Sequence, residues 1–298
     1  MNLTGLHLLL TYKCTLECSH CFVWGSPWQE GTMTIQQIRH ILQEARDLGT
    51  VKWIYFEGGE PFLYYAHMLK AVQDASSNGF QVGIVSNSYW ATNVEDAIEY
   101  LKPLEGLIQD LSISSDLFHW SEEQIQLTDN ARKAAEALNI PLGFISIAQP
   151  EATDHQAGVG TLPQGESAVM YRGRAAEKLS GMVEKHGWEG FNTCPYEDLR
   201  EPGRLHVDPL GNLHICQGIS LGNIYQRPLK EIIGSYDPDN HPITGPILEG
   251  GPAALVTRYS LPHQEAYADA CHLCDEACRL LRTRFPEILL PDQMYGEF

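Results

Sequence analysis

Residues 10–25 read "LTYKCTLECSHCFVWG", with Cys14, Cys18 and Cys21 in the spacing C-x3-C-x2-C directly after the short apolar run "LHLLLTY". Soft thiolates grouped this closely point to zinc or to an iron–sulfur cluster. Structural zinc is four-coordinate and closed, and it uses paired C-x2-4-C knuckles. His20 would complete a Cys3His set, yet it stands immediately before Cys21, and the backbone makes it awkward to aim both side chains at one ion. A 4Fe–4S cube on three thiolates leaves one iron open, as catalytic metal sites keep a position for a ligand. The spacing by itself leaves both readings open.

The other cysteines are also clustered. Of eight in the chain, none lies between Cys21 and Cys194, and Cys194, Cys216, Cys271, Cys274 and Cys278 follow. Cysteines used as small core residues would scatter, so two separate metal sites are expected. No secretory signal is visible and the apolar run near the N-terminus is too short to span a membrane. The expected compartment is therefore the cytoplasm, where disulfides are rare. Lys plus Arg is 20 against 38 Asp plus Glu, a net charge of −18. That balance argues against nucleic acid, whose affinity comes from cations, and reads chiefly as solubility.

Outward from the cysteine loop, short β-branched or apolar runs alternate with helical patterns. "VKWIYFEGG", "QVGIVSN", "LSISSD" and "LGFISIA" read as buried strands. "TIQQIRHILQEARDLG" opens with Thr34 and Gln37 at capping-box spacing and puts Ile35, Ile38, Ile41 and Leu42 on one face. "YAHMLKAVQDASSNG" ends on the C-cap pair Asn78-Gly79. "VEDAIEYLKPL" stops near Pro103, and "SEEQIQLTDNARKAAEALN" begins with Ser121 and Gln124 at capping spacing. This alternation predicts an α/β fold with a parallel sheet or barrel built from βα units. "QPEATDHQAGVGTLPQGESAV" reads as a long loop; its "GVG" lacks the Lys-Ser/Thr of a phosphate loop. A short strand "AVMY" and a helix "RAAEKLSGMVEKHG" are expected next. "RLHVDPLGNLHIC" is a hairpin around Asp208-Pro209-Leu210-Gly211-Asn212 that delivers Cys216.

The second strand ends in "YFEGGEPF", that is Glu57-Gly58-Gly59-Glu60-Pro61. Two glycines permit close backbone approach and a carboxylate pairs with an ammonium. With C-x3-C-x2-C one βα unit before it, this resembles the radical S-adenosylmethionine (SAM) superfamily and its GGEP motif. His20 departs from the aromatic residue that usually precedes the last cysteine. The resemblance implies a 4Fe–4S cluster on Cys14, Cys18 and Cys21 that binds S-adenosyl-L-methionine. Gly58, Gly59 and Glu60 would meet its amino group. Ser86 and Asn87 after the third strand, and Ser112 and Ser114 on the fourth, would face its ribose or carboxylate. Where the family commonly has Asp, this chain has Ser114, with Asp116 two residues on. Arg132 on the following helix is a further candidate for the carboxylate, against the alternative of a solvated helix face.

The second half, with "YRGRAAEKL" at the junction, resembles the SPASM and shorter twitch extensions of that superfamily. The resemblance implies a partial (β/α)6 TIM-like barrel over residues 1–187, a small α+β (hairpin plus helix) cluster-binding domain over 188–285, and a tail over 286–298. By analogy with the twitch form, Cys194, Cys216, Cys271 and Cys274 would ligate a second, auxiliary 4Fe–4S cluster and leave Cys278 free. A set including Cys278, or zinc in a ribbon-like site, stays open.

The implied activity is reductive cleavage of SAM to a 5′-deoxyadenosyl radical that abstracts a substrate hydrogen atom, with the auxiliary cluster assisting oxidation or cross-linking of a peptide. Glu60 and Cys278 are the catalytic candidates, the latter as hydrogen donor in a small-molecule dehydrogenase or epimerase reading. A binding module without catalysis is the remaining alternative. Implied partners are an electron donor such as flavodoxin or ferredoxin and a peptide or small-molecule substrate. Since the first cluster cysteine is already residue 14, a separate leader-peptide-binding protein is expected if the substrate is a peptide.

Overall fold

The computed structural model describes residues 1–119, 121, 125–150 and 165–298. Parallel strands β1 (Gly5–Thr11), β2 (Trp53–Gly58), β3 (Gln81–Ser86), β4 (Asp110–Ser114) and β5 (Leu142–Ile145) alternate with helices α1 (Ile35–Leu48), α2 (Tyr65–Ser77), α3 (Val94–Leu101) and α4 (Gln126–Ala137). This is the expected α/β architecture, a parallel sheet with connecting helices in the manner of a partial TIM-like barrel. The local reasons are those in the sequence. Thr34 and Gln37 close a reciprocal capping box on α1, whose Ile38, Ile41 and Leu42 are buried, and Gly49 ends it in the left-handed region. The Ser121–Gln124 cap lies outside the described residues, as does most of the loop with "GVG".

After α4 the pattern thins. "AVMY" forms no strand; only Ser167 makes an isolated parallel bridge, to Ile147. The expected helix shrinks to α5 (Arg174–Lys178), followed by a 3-10 turn at Ser180–Met182. Gly181 and Val183 are poor helix residues, and β6 (His186–Gly187) leaves to pair with β10 (Ala266–Tyr267).

The hairpin forms as expected from β7 (Arg204–Val207) and β8 (Asn212–Cys216), and β9 (Ile219–Asn223) extends it. β7 pairs in parallel with β1, so among the described residues eight strands make one sheet in the order β5-β4-β3-β2-β1-β7-β8-β9. The sheet thus runs straight through the boundary expected near residue 187. Asp208 is the hub of this junction. Buried, it accepts from the backbone N–H of Leu210 and Asn212 and from the Tyr12 hydroxyl at the entry to the cysteine loop. Three more helices follow: α6 (Leu229–Ser235), α7 (Thr244–Tyr259), kinked at Gly250-Gly251, and α8 (Ala270–Leu281). No helix among the described residues is long and apolar enough to cross a membrane.

Candidate active site and cysteine centres

Cys14, Cys18 and Cys21 lie in the loop after β1 and line one cavity of about 190 Å³ with Gly58, Gly59, Ser86, Asn87, Ser114, His20 and His119. The cavity sits at the C-terminal ends of the parallel strands, where barrels of this type place chemistry. Polar contacts hold the loop in shape. Gly25 N–H points at Cys21 Sγ (3.3 Å), and the Asn87 amide donates to Thr15 Oγ1 (3.0 Å) and faces Cys14 Sγ (3.6 Å). Arg174, buried, donates to the carbonyls of Cys18 (2.8 Å) and Gly25 (2.9 Å). Gly173 adopts φ +59 within reach of Phe22 and Cys21, where a Cβ would stand 2.8 Å from Phe22 Cα. The "YRGR" stretch is therefore a clamp on the cysteine loop.

The two glycines of "GGEP" make a close contact within the chain. A Cβ on Gly59 would lie 2.1 Å from the Lys13 carbonyl oxygen, and one on Gly58 (φ +134) would lie 2.4 Å from that of Thr11. They let the end of β2 abut the start of the cysteine loop, backbone against backbone, while also lining the cavity. Glu60 is fully buried and does not line it. Its carboxylate accepts from Phe62 N–H (3.0 Å), the Ser86 hydroxyl (3.0 Å) and Asn87 N–H (2.8 Å), tying β2 to the end of β3. Burial pushes this carboxyl up to about 7 against those three bonds.

Ser86, Asn87 and Ser114 line the cavity. Ser112 and Arg132 do not. The Ser112 hydroxyl donates to Asp110 (2.8 Å), one step deeper along β4. Arg132 is held on the outer face of α4 by Asp129 and Glu136, three residues before it and four after. Asp116 is occupied by the Phe118 and His119 N–H groups, His119 Nδ1 (2.7 Å) and Ile147 N–H. It orients His119, which with His20 forms a polar wall that sequence reasoning missed, because residues on two separate loops make it.

The other five cysteines share a second, smaller cavity, of about 50 Å³, with Arg172, Glu197, Asp275 and Tyr295. Asp269 caps α8 by accepting from His272 N–H, and the helix carries Cys271, Cys274 and Cys278 on one face at steps of three and four. The hairpin brings Cys216. Gly251 (φ +66) lies so close to Asn192-Thr193, 2.3 Å for a notional Cβ, that the kink in α7 sets the segment before Cys194. Arg172 donates to Cys216 Sγ (3.0 Å). Cys278, the hydrogen-donor candidate, lines this cavity and is not among the residues lining the first. The tail, in which no motif was read, joins both regions. Gln293 donates to the Val23 carbonyl (3.0 Å), Gly296 packs on the Trp24 ring, and the Tyr295 hydroxyl donates to Gly218 O (2.9 Å).

Burial raises the Cys14 and Cys216 thiols to about 12, with Glu60 adding to the effect at Cys14 and Arg172 opposing it at Cys216. Such thiols become thiolates only beside a cation, and binding one releases protons. Sulfur atoms around one tetrahedral zinc stand about 3.8 Å apart (Zn–S about 2.3 Å). Among the described residues, the groups of three or more potential ligand atoms within 4.8 Å of one another contain no cysteine.

The fold and site together define an α/β barrel protein with a three-thiol cavity at its strand ends. Residues 8–140 match the family model described as the Radical SAM superfamily. Over 107 residues the chain is 34% identical to the tungsten-containing aldehyde ferredoxin oxidoreductase cofactor-modifying protein of Pyrococcus furiosus, covering 36% of this chain and 28% of that protein. Over 111 residues it is 29% identical to YydG of Bacillus subtilis, a protein named for peptide biosynthesis, covering 37% and 35%. The matches thus span about a third of the length of these curated relatives. The solved structure "Native anSMEcpe with bound AdoMet and Cp18Cys peptide" superposes with a TM-score of 0.54 at 13% identity, over 95% of this chain and 98% of that one. At that identity the likeness is one of fold.

Proposed function

We propose that the chain is a radical SAM enzyme with an auxiliary iron–sulfur cluster that modifies a peptide. The observation that carries this reading is the convergence of Cys14, Cys18 and Cys21 with the Gly58-Gly59 backbone and Ser86, Asn87 and Ser114 around one cavity at the strand ends. When bound, a 4Fe–4S cluster with SAM supplies a 5′-deoxyadenosyl radical by reductive cleavage, and through it the removal of a substrate hydrogen atom. The chain's own part is to hold and position. Cys14, Cys18 and Cys21 are the thiolate ligands, with Asn87 and the Gly25 N–H directed at two of the sulfurs. The Gly58-Gly59 backbone receives the ligand's ammonium, while Asn87 and Ser114 serve its carboxylate and ribose hydroxyls. Glu60 acts indirectly by fixing Ser86 and Asn87. The His119–Asp116 pair and His20 face the substrate side.

Cys194, Cys216, Cys271 and Cys274 hold the auxiliary cluster, whose charge the Arg172 guanidinium offsets. A flavodoxin or ferredoxin supplies the electron. A peptide substrate is supported by the name of YydG and by the peptide bound in the solved structure of like fold. Anaerobically reconstituted protein given dithionite and SAM is expected to release 5′-deoxyadenosine, and Cys18→Ala is expected to release none. Absence of 5′-deoxyadenosine from wild-type protein with its clusters assembled would contradict the reading.

A further inference from the structure

A second group of metal-ligand type lies deeper among the strands, and it meets the three-thiol cavity through Glu57. His7 on β1, His206 on β7 and Glu57 on β2 come from three adjacent strands. His7 is in register with His206, and Glu57 is opposite Leu9. The neighbours of these residues along their strands, Leu6, Leu8, Phe56, Leu205 and Val207, are buried apolar residues. A polar residue at the inward position of such strands costs free energy unless it is satisfied. Glu57 Oε2 is 3.1 Å from His7 Nδ1, and Oε1 is 3.2 Å from His206 Nε2. The three ligand atoms all lie within 4.8 Å of one another.

We propose that His7, Glu57 and His206 bind a divalent first-row transition-metal ion such as Zn2+. With metal–N and metal–O bonds of about 2.1 Å, tetrahedral ligand atoms stand roughly 3.4 Å apart, close to the distances here. Glu57 Oε1 is buried yet makes no aligned hydrogen bond, although His206 Nε2 is near. The other oxygen, Oε2, is within hydrogen-bond distance of His7 Nδ1 (3.1 Å), so Oε1 is the carboxylate atom left open to an ion.

Tyr55 stacks on His7 at 4.6 Å and fixes the ring plane. A wide hollow at the N-terminal ends of the strands, lined in part by His7, Tyr55 and Arg204, reaches the group from solvent through His7. Two histidines and a carboxylate with an open position are the donor set of zinc or ferrous sites, not of magnesium or calcium. The comparable group His20, Asp116 and His119 is the weaker candidate, because Asp116 is already engaged by four N–H donors of its own loop and of the segment after β5.

The test uses protein carrying its iron–sulfur clusters, so that cysteines do not compete. Crystals soaked in Zn2+ are expected to show an anomalous difference peak between the three side chains. In solution, added Zn2+ is expected to raise the melting temperature of wild-type protein. Glu57→Gln and His206→Ala, each verified as folded by circular dichroism, are expected to bind at least about tenfold more weakly. Co2+ in the same site is expected to give a spectrum without thiolate charge transfer. The proposal is overturned if no peak lies at these residues, if both variants bind Zn2+ as wild type does, or if Co2+ shows only thiolate ligation.

Discussion

Glu60 has no exposed surface, and its carboxyl is raised from 4.5 to about 7 because burial disfavours the charge more than three hydrogen bonds favour it. The folded protein therefore holds this proton more tightly than the unfolded chain. Its contribution to stability is fully present below pH 4.5 and is lost as pH rises through about 7, by roughly 3 kcal/mol. Glu60→Gln cannot titrate. The stability of wild type minus that of the variant, measured by denaturant unfolding across pH 4 to 8, should fall by about 3 kcal/mol over that window; a constant difference would contradict the assignment. At this scale the sequence was legible where a residue's place is set by its neighbours in the chain, as for the thiols of C-x3-C-x2-C, which share one cavity. It was illegible where the partner comes from elsewhere. Glu60 turned inward because Ser86 and Asn87, on the next strand, offered donors. Arg132 turned outward because Asp129 and Glu136 stood one helical turn away.

The β2 end and the cysteine loop form one structural element because Gly58 and Gly59 allow main chain to lie against main chain. Gly59→Ala would drive a methyl into the Lys13 carbonyl. We expect a loss of about 2–4 kcal/mol in stability, by strain and broken loop hydrogen bonds, and a fall in iron retained at the N-terminal site. Unchanged unfolding midpoint and iron content would show that the close approach is dispensable. Elements with strong local signals, such as the boxed α1 and the Asp208–Asn212 hairpin, were readable in advance. The shortened α5 was not, since the segment follows the needs of the Gly173-Arg174 clamp. The tail was not either, because its partners, Val23, Trp24 and Gly218, are remote in sequence.

At the scale of the molecule, one continuous sheet carries the three-thiol cavity at its parallel strand ends and, through the β7–β8 hairpin, one wall of the five-cysteine cavity. The order of strands and helices made the first half legible as a βα barrel. The parallel joining of β7 to β1 was not legible, because pairing between strands so distant leaves no local mark. If both cavities hold cubes, iron should approach about eight per chain and fall to about four in Cys271→Ala/Cys274→Ala, two cubes and one respectively. An unchanged count in the double variant would remove the second cube.

The double variant also isolates the N-terminal site, where electron paramagnetic resonance of the dithionite-reduced protein with and without SAM probes the account most directly. A cube held by only three thiolates should change its signal when SAM takes the open iron. A spectrum indifferent to SAM would contradict that central claim.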